Sequence, residues 1–234
     1  MSNQFIIWDF DGTLAFRKGM WSQAVVDVVN RNFTKVCLVR EDISKYLSSG
    51  FFWHSPDAAH LHVINSGIWW EHHNKIIENA IVKATNISSN RILQILPQIR
   101  QEYLDPVSWT VYADVLSSLS DLSSAGWKHV ILSNHVPELS DLIESLGLAD
   151  YFERILTSAR IGYEKPNRMA FDAIIKLLPS NSKLWMVGDS YTADVMGANN
   201  ASLNAILVRK KKRTRKTLCE VSPRDSKHSR IKLE

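Results

Sequence analysis

A chain of 234 residues, 45% hydrophobic and 22% charged, has the balance of a globular protein, built as one large domain or as a domain with an insertion. Its two cysteines, Cys37 and Cys219, form no motif, which excludes a disulfide framework and fits a reducing, cytoplasmic setting. The opening MSNQFIIWDF lacks a signal peptide's basic start, and no apolar run approaches the roughly 18 residues of a membrane span. The net charge of +4 is local: residues 209–234 hold 11 basic and 3 acidic groups, the rest of the chain is at −4, and the body shows no basic stripe for nucleic acid.

In chain order, five short segments read as buried strands: FIIWDF (5–10), KHVILSN (128–134), ERILTS (153–158), KLWMVGDS (183–190) and NAILVR (204–209). Their apolar residues run together rather than alternate, as in a parallel sheet covered on both faces. Helical spacing separates them. It runs through Val115, Leu116, Leu119 and Leu122, then Leu139, Leu142, Ile143 and Leu146 closed by Gly147, then Ala170, Phe171, Ile174, Ile175 and Leu178. This alternation predicts a doubly wound, Rossmann-like α/β sheet. It fails over 17–108, which has helical spacing such as Ile76, Ile77, Ala80 and Ile81 and no convincing strand. A stretch of that length is no loop, so it is read as a separate, mainly helical unit inserted into a core of 1–16 and 109–208. The basic tail, 209–234, reads as a solvated, mobile segment, with nucleic acid or an anionic membrane surface as the alternative.

Polar residues gather where the strands end. The first strand ends at Asp9 and Asp11, the second at Ser133 and Asn134, the fourth at Gly188, Asp189 and Ser190. Lys165 follows the third strand in YEKP, and Asp194 lies five residues beyond Asp189. Ligands of open parallel sheets bind beyond the carboxyl ends of the strands, so these groups share one edge. A lone aspartate there often only caps a helix. Several acids and a lysine together demand a cation and a substrate, and a hard, oxygen-liganded ion such as Mg²⁺ answers that demand.

Asp9-Phe10-Asp11-Gly12-Thr13 resembles the first signature of the haloacid dehalogenase-like hydrolase superfamily. Ser133 after VIL matches its second, Lys165 in EKP its third, and GDSYTAD, Gly188 to Asp194, its fourth. The phosphoglycolate phosphatase-like and dehalogenase-like branch is the nearest likeness, and the insertion is placed like that branch's helical cap. The resemblance implies that Asp9 attacks phosphorus to give an aspartyl-phosphate, and that Asp11 protonates the leaving alkoxide and then activates water. It makes Asp9, the main-chain carbonyl of Asp11 and Asp189 the ligands of Mg²⁺. Ser133 and Lys165 bind the phosphoryl oxygens, Gly12 lets main-chain N–H groups approach them, Thr13 belongs to the same phosphate-binding set, and Asp194 orients the motif loop or a metal-bound water. Gly188 and Ser190 support that loop, and Asn134 bonds substrate or loop backbone.

Asp11 favours a phosphate ester over a halide, which leaves unprotonated. The implied ligand is a small phosphorylated metabolite. The alternatives are a phosphotransferase or phosphomutase of the same fold, or a non-catalytic phosphate-binding regulator. In the cap, Trp53, Trp69 and Trp70 with His54, His60, His62, His72 and His73 read as tryptophans in its core and histidines on its surface. Substrate contacts are the second reading of that group, and a metal site the third, with no zinc spacing to support it. His135, beside Ser133 and Asn134, is a further site candidate. After NAILVR the basic run replaces the last amphipathic segment usual in the family.

Overall fold

A computed structural model describes residues 3–209. The basic tail beyond Arg209, and the expectations attached to it, lie outside the described residues. Seven strands form: β1 (Gln4–Trp8), β2 (Ala15–Arg17), β3 (Trp109–Val111), β4 (Lys128–Ser133), β5 (Phe152–Thr157), β6 (Lys183–Gly188) and β7 (Asn204–Leu207). Five of them make a parallel sheet in the order β5-β4-β1-β6-β7. The expected doubly wound α/β architecture is present.

Both faces of the central strands are covered, which explains their unbroken apolar runs. Phe5 and Ile7 of β1 pack with Val130, Leu132, Phe171, Ile174 and Met186 on one face. Ile6 and Trp8 join Leu119, Ile131, Leu139 and Ile143 on the other. Gly147 closes helix Leu139–Ser145 at φ +70°, as the sequence predicts. The outer strands differ from expectation. β5 and β7 are sheet edges and only half-buried, with Ile206 38% exposed, because each has a neighbour on one side alone. Leu116, expected in the core, is 50% exposed on helix Val115–Ser124, whose Val115 and Leu119 face the sheet.

Two further strands went unseen in the sequence. β2 and β3 pair antiparallel, Ala15 opposite Val111 and Arg17 opposite Trp109, at three residues each too short for a periodic signal. Between them only helices and turns occur, chiefly Met20–Asn32, Ser66–Ala84 and Leu96–Leu104. Asn65 starts the longest by accepting from the Gly67 N–H. The insertion does not have a core of its own. Its buried Trp21, Phe51, Trp69, Trp70 and Ile77 belong to the same apolar cluster as Ile6 and Trp8 of the sheet. Aromatic rings bridge the two: Trp21 stacks on Tyr103 at 3.7 Å, Tyr103 meets Trp109 edge-on at 5.7 Å, and Trp109 lies 5.2 Å from Phe10.

Polar clasps reinforce that bridge. Arg17 is buried and donates to the Met20 and Glu102 carbonyls and to the Glu102 carboxylate. Glu138 accepts from Trp70 Nε1 at 3.0 Å and pairs with Arg100, whose guanidinium lies 4.8 Å over the Trp70 ring. Among the described residues, no helix is long and apolar enough to cross a membrane.

Candidate active site

The strand order builds the site. β1 lies between β4 and β6, so their carboxyl ends deliver Asp9, Ser133 and Asp189 side by side. Strand pairing of β1 ends at Trp8, one residue before the first acid, although the Asp9 N–H still reaches the Val187 carbonyl at 2.9 Å. Asp9, Phe10 and Asp11 therefore separate through the turn that follows, not through strand alternation. Phe10 is fully buried against Trp109 and His135.

Asp9 is the centre. Its Oδ1 accepts from Ser133 Oγ at 2.9 Å and from Lys165 Nζ at 2.8 Å, and its Oδ2 from Thr13 Oγ1 at 3.3 Å. Lys165 also donates to Asp194 Oδ1 at 2.6 Å. Burial alone would lower the Lys165 pKa, but Asp194 and Asp9 outweigh it and hold the ammonium charged. Asn134 sets that lysine in place, donating to the Lys165 carbonyl and accepting from the Lys165 N–H at 2.7 Å. Of its two expected partners, Asn134 thus meets the loop backbone. Asp194 accepts from the Ser190 N–H at 2.9 Å, and Ser190 Oγ accepts from the Ala193 N–H, which orders the turn after β6.

Ligand atoms of Asp9, Asp189 and Asp194 all lie within 4.8 Å of one another. Burial, then the charges of Asp9 and Asp194, push Asp189 up to about 6. Asp11 is raised well above the usual carboxylate range by burial and by Asp9 and Asp189, against a smaller opposing pull from Lys165. One Asp11 oxygen, Oδ1, is buried without a partner among the described residues. One ammonium against this many carboxylates leaves an excess of negative charge, so the donor set suits a hard cation.

The glycines are there for room. Gly12 sits at φ +79°, and a Cβ on it would collide with the Asp189 carboxylate. At Gly188 a Cβ would collide with Asp194. Gly12 N–H is bonded to the Ala15 carbonyl and Thr13 N–H to the Phe10 carbonyl, closing the turn.

A cavity of about 510 Å³ opens over this edge, lined by Asp11, Trp21, Trp53, Tyr103, His135 and Lys165 among others. His135 does line the site. Burial holds its imidazole down at about 3, hence neutral, with Nε2 3.9 Å from Asp11 Oδ2. Of the cap group only Trp53 reaches the cavity. Trp69 and Trp70 are core, His54 and His62 are exposed and His72 half-buried, whereas His60 and His73 are buried, contrary to expectation. The reason is packing by rings: His73 stacks on Trp69 at 3.4 Å and His60 lies 4.3 Å from Phe52. Trp21 and Tyr103 escaped sequence reasoning because each sits in an ordinary apolar helical stripe. Arg209, placed by composition at the head of the tail, docks on this region instead. It donates to the Thr13 carbonyl and to both Asp114 oxygens.

The family model of haloacid dehalogenase-like hydrolases matches residues 4–202. The chain belongs to this family. Among curated relatives of this hydrolase, the haloacid dehalogenase-like hydrolase domain-containing protein 3 of Bos taurus is 26% identical over 148 residues. That match covers 63% of this chain and 58% of that protein. The glyceraldehyde 3-phosphate phosphatase of Methanothermobacter thermautotrophicus is 34% identical over 102 residues, 42% of this chain and 44% of that protein. The hydrolase therefore spans little more than half the length of these relatives, or less. The crystal structure of a phosphatase of the same family from Thermococcus onnurineus shares its fold at TM-score 0.59 and 20% identity, over 93% of this chain and 91% of that one.

Proposed function

We propose that this hydrolase, with Mg²⁺ bound, cleaves a small phosphomonoester by way of a phosphoryl group carried on Asp9. The observation that carries the reading is a pair of unequal carboxylates. Asp9 is gripped by three side-chain donors, and Asp11, two residues on, keeps a buried oxygen without a partner among the described residues, beside the cavity. Loss of a halide would need no second acid there. The phosphatase name of a 34% identical relative supports the same choice.

Asp9 and Asp189, with the Asp11 main-chain carbonyl, are the groups that would hold the cation, and bound there it would supply Lewis-acid polarisation of a phosphoryl oxygen. Asp194 is assigned support, since its oxygens already serve Lys165 and the Ser190 N–H. The protein groups then divide the work. An Asp9 oxygen attacks phosphorus as the bond to the leaving oxygen breaks, and Asp11 gives that oxygen its proton. Asp11, now a carboxylate, takes a proton from water, whose oxygen displaces Asp9 from phosphorus and releases inorganic phosphate. Lys165 offsets the charge gathered on Asp9 and the phosphoryl group, and Ser133 orients the Asp9 carboxylate.

Activity on an aryl phosphate should disappear in excess chelator and return with Mg²⁺, while Ca²⁺, with its looser coordination, restores little of it. Full turnover in chelator would remove Asp189 from the ligand set. Gly12→Ala is a second measure of the same site. Its Cβ must push the Asp189 carboxylate aside, so turnover should drop on the order of 10²-fold, with a higher Mg²⁺ requirement. An unchanged Mg²⁺ dependence in a folded Gly12→Ala protein counts against the assignment.

A further inference from the structure

Much of the cavity lining is unlike the acids. Trp21, Tyr103 and Trp53 line it together with Met20, Pro56 and Val136. Trp21 and Tyr103 brace each other, stacked at 3.7 Å and 3°. Trp53 is half-buried, and Phe51 backs one face of its ring at 4.5 Å and 10°. Arg17 fixes the two segments that bear Met20 and Tyr103 by bonding the Met20 and Glu102 carbonyls. This wall is pre-formed.

Charge decides what it can take. Lys165 is the cation among the described lining residues, and Asp9 and Asp194 already bind it. His135 also lines the cavity, packed against the rings of Phe10, Tyr103 and Trp109. Nothing else in the described lining offers a positive charge to a second phosphate or a carboxylate on the leaving group, and an anion buried without a partner is costly. A flat, uncharged ring meets no such cost, and aromatic walls of this kind hold it by stacking and apolar contact. A cavity of about 510 Å³ is in the range used for ligands of that size.

Building on the phosphomonoester reading, we infer that the leaving group is a neutral alcohol bearing a flat ring, of the nucleoside 5′-monophosphate class, and not a bisphosphate or a phosphorylated carboxylic acid. The ester bond lies at Asp9 and the ring against Trp53.

The test compares kcat/KM of the full-length protein on AMP and UMP with glycerol 3-phosphate, 3-phosphoglycerate and ribulose 1,5-bisphosphate, with acetyl phosphate as a ring-free reference. At least one nucleotide should exceed glycerol 3-phosphate about tenfold or more. The two esters with an extra anion should fall below both. Trp53→Ala should lower the nucleotide-to-glycerol phosphate ratio about tenfold, and Trp53→Phe should keep most of it, which also guards against misfolding of the alanine variant. Turnover of acetyl phosphate with equal or better use of 3-phosphoglycerate or the bisphosphate overturns the inference and leaves the phosphatase reading standing. Turnover of no phosphate at all refutes that reading instead. Titration of the native protein's tryptophan fluorescence with AMP, UMP and glycerol 3-phosphate then decides ring binding by itself: quenching by a nucleotide alone supports it, and equal or absent quenching overturns it.

Discussion

Asp9→Asn should abolish turnover, by on the order of 10⁴–10⁶-fold, and leave no phosphoryl group on the protein. The amide can still accept from Ser133 and Lys165 through its oxygen, so the two bonds at Oδ1 survive the change. What it loses is a nucleophile and one negative charge. In native protein, Asp9 helps push up Asp11, Asp189 and Asp194, so removing its charge relieves repulsion among the remaining acids. Thermal stability in chelator should therefore be no lower than native. That combination, a fold at least as stable and an inert site, distinguishes a chemical loss from a structural one. Rapid acid quench with labelled substrate is the direct measurement: acid-stable label on native protein, none on Asp9→Asn. Label on the variant would move the nucleophile to another residue.

Asp11→Asn should depend on the leaving group. Nitrophenolate needs little protonation, so formation of the intermediate from nitrophenyl phosphate should suffer least. An alkyl phosphate should lose on the order of 10²–10⁴-fold, as when a general acid is removed. Hydrolysis of the intermediate needs the same residue as base and should slow for both substrates. Labelled enzyme should then accumulate on the variant with the aryl ester. The structure gives the substitution a clean setting, since Asp11 Oδ1 makes no bond among the described residues that the amide would break. Equal loss of intermediate formation with both leaving groups would reduce Asp11 to a scaffold for the metal site.

The two acids were readable before any coordinates. Asp9 and Asp11 close an apolar run, and Ser133, Lys165 and Asp189 follow other such runs, so the topological rule for parallel sheets places all of them on one edge. The structure brings Ser133 and Lys165 to hydrogen-bond distance of Asp9, and a ligand atom of Asp189 within 4.8 Å of one of Asp9. What the motif does not show is that β1 ends at Trp8, so that Asp11 is carried by the turn and not by the strand.

By itself, the sequence determined the sheet, the helices against it and the acidic edge. Each of these is written in local order, as runs, stripes and short motifs that burial on one or two faces dictates. Tertiary structure alone decided the strand order that seats β1 between β4 and β6, and with it which strands became half-exposed edges. It also decided the aromatic wall and the clasps. Trp21 meets Tyr103, Arg17 meets Glu102 and Trp70 meets Glu138 across more than 65 residues of chain in each case. His60 is covered by Phe52, eight residues before it, whereas His73 lies on the buried stripe of its own helix with Trp69, Ile77 and Ile81. Contacts of that kind arise when one amphipathic surface closes on another. The pattern on either surface says that it will be covered, and only the packing of the two says by what.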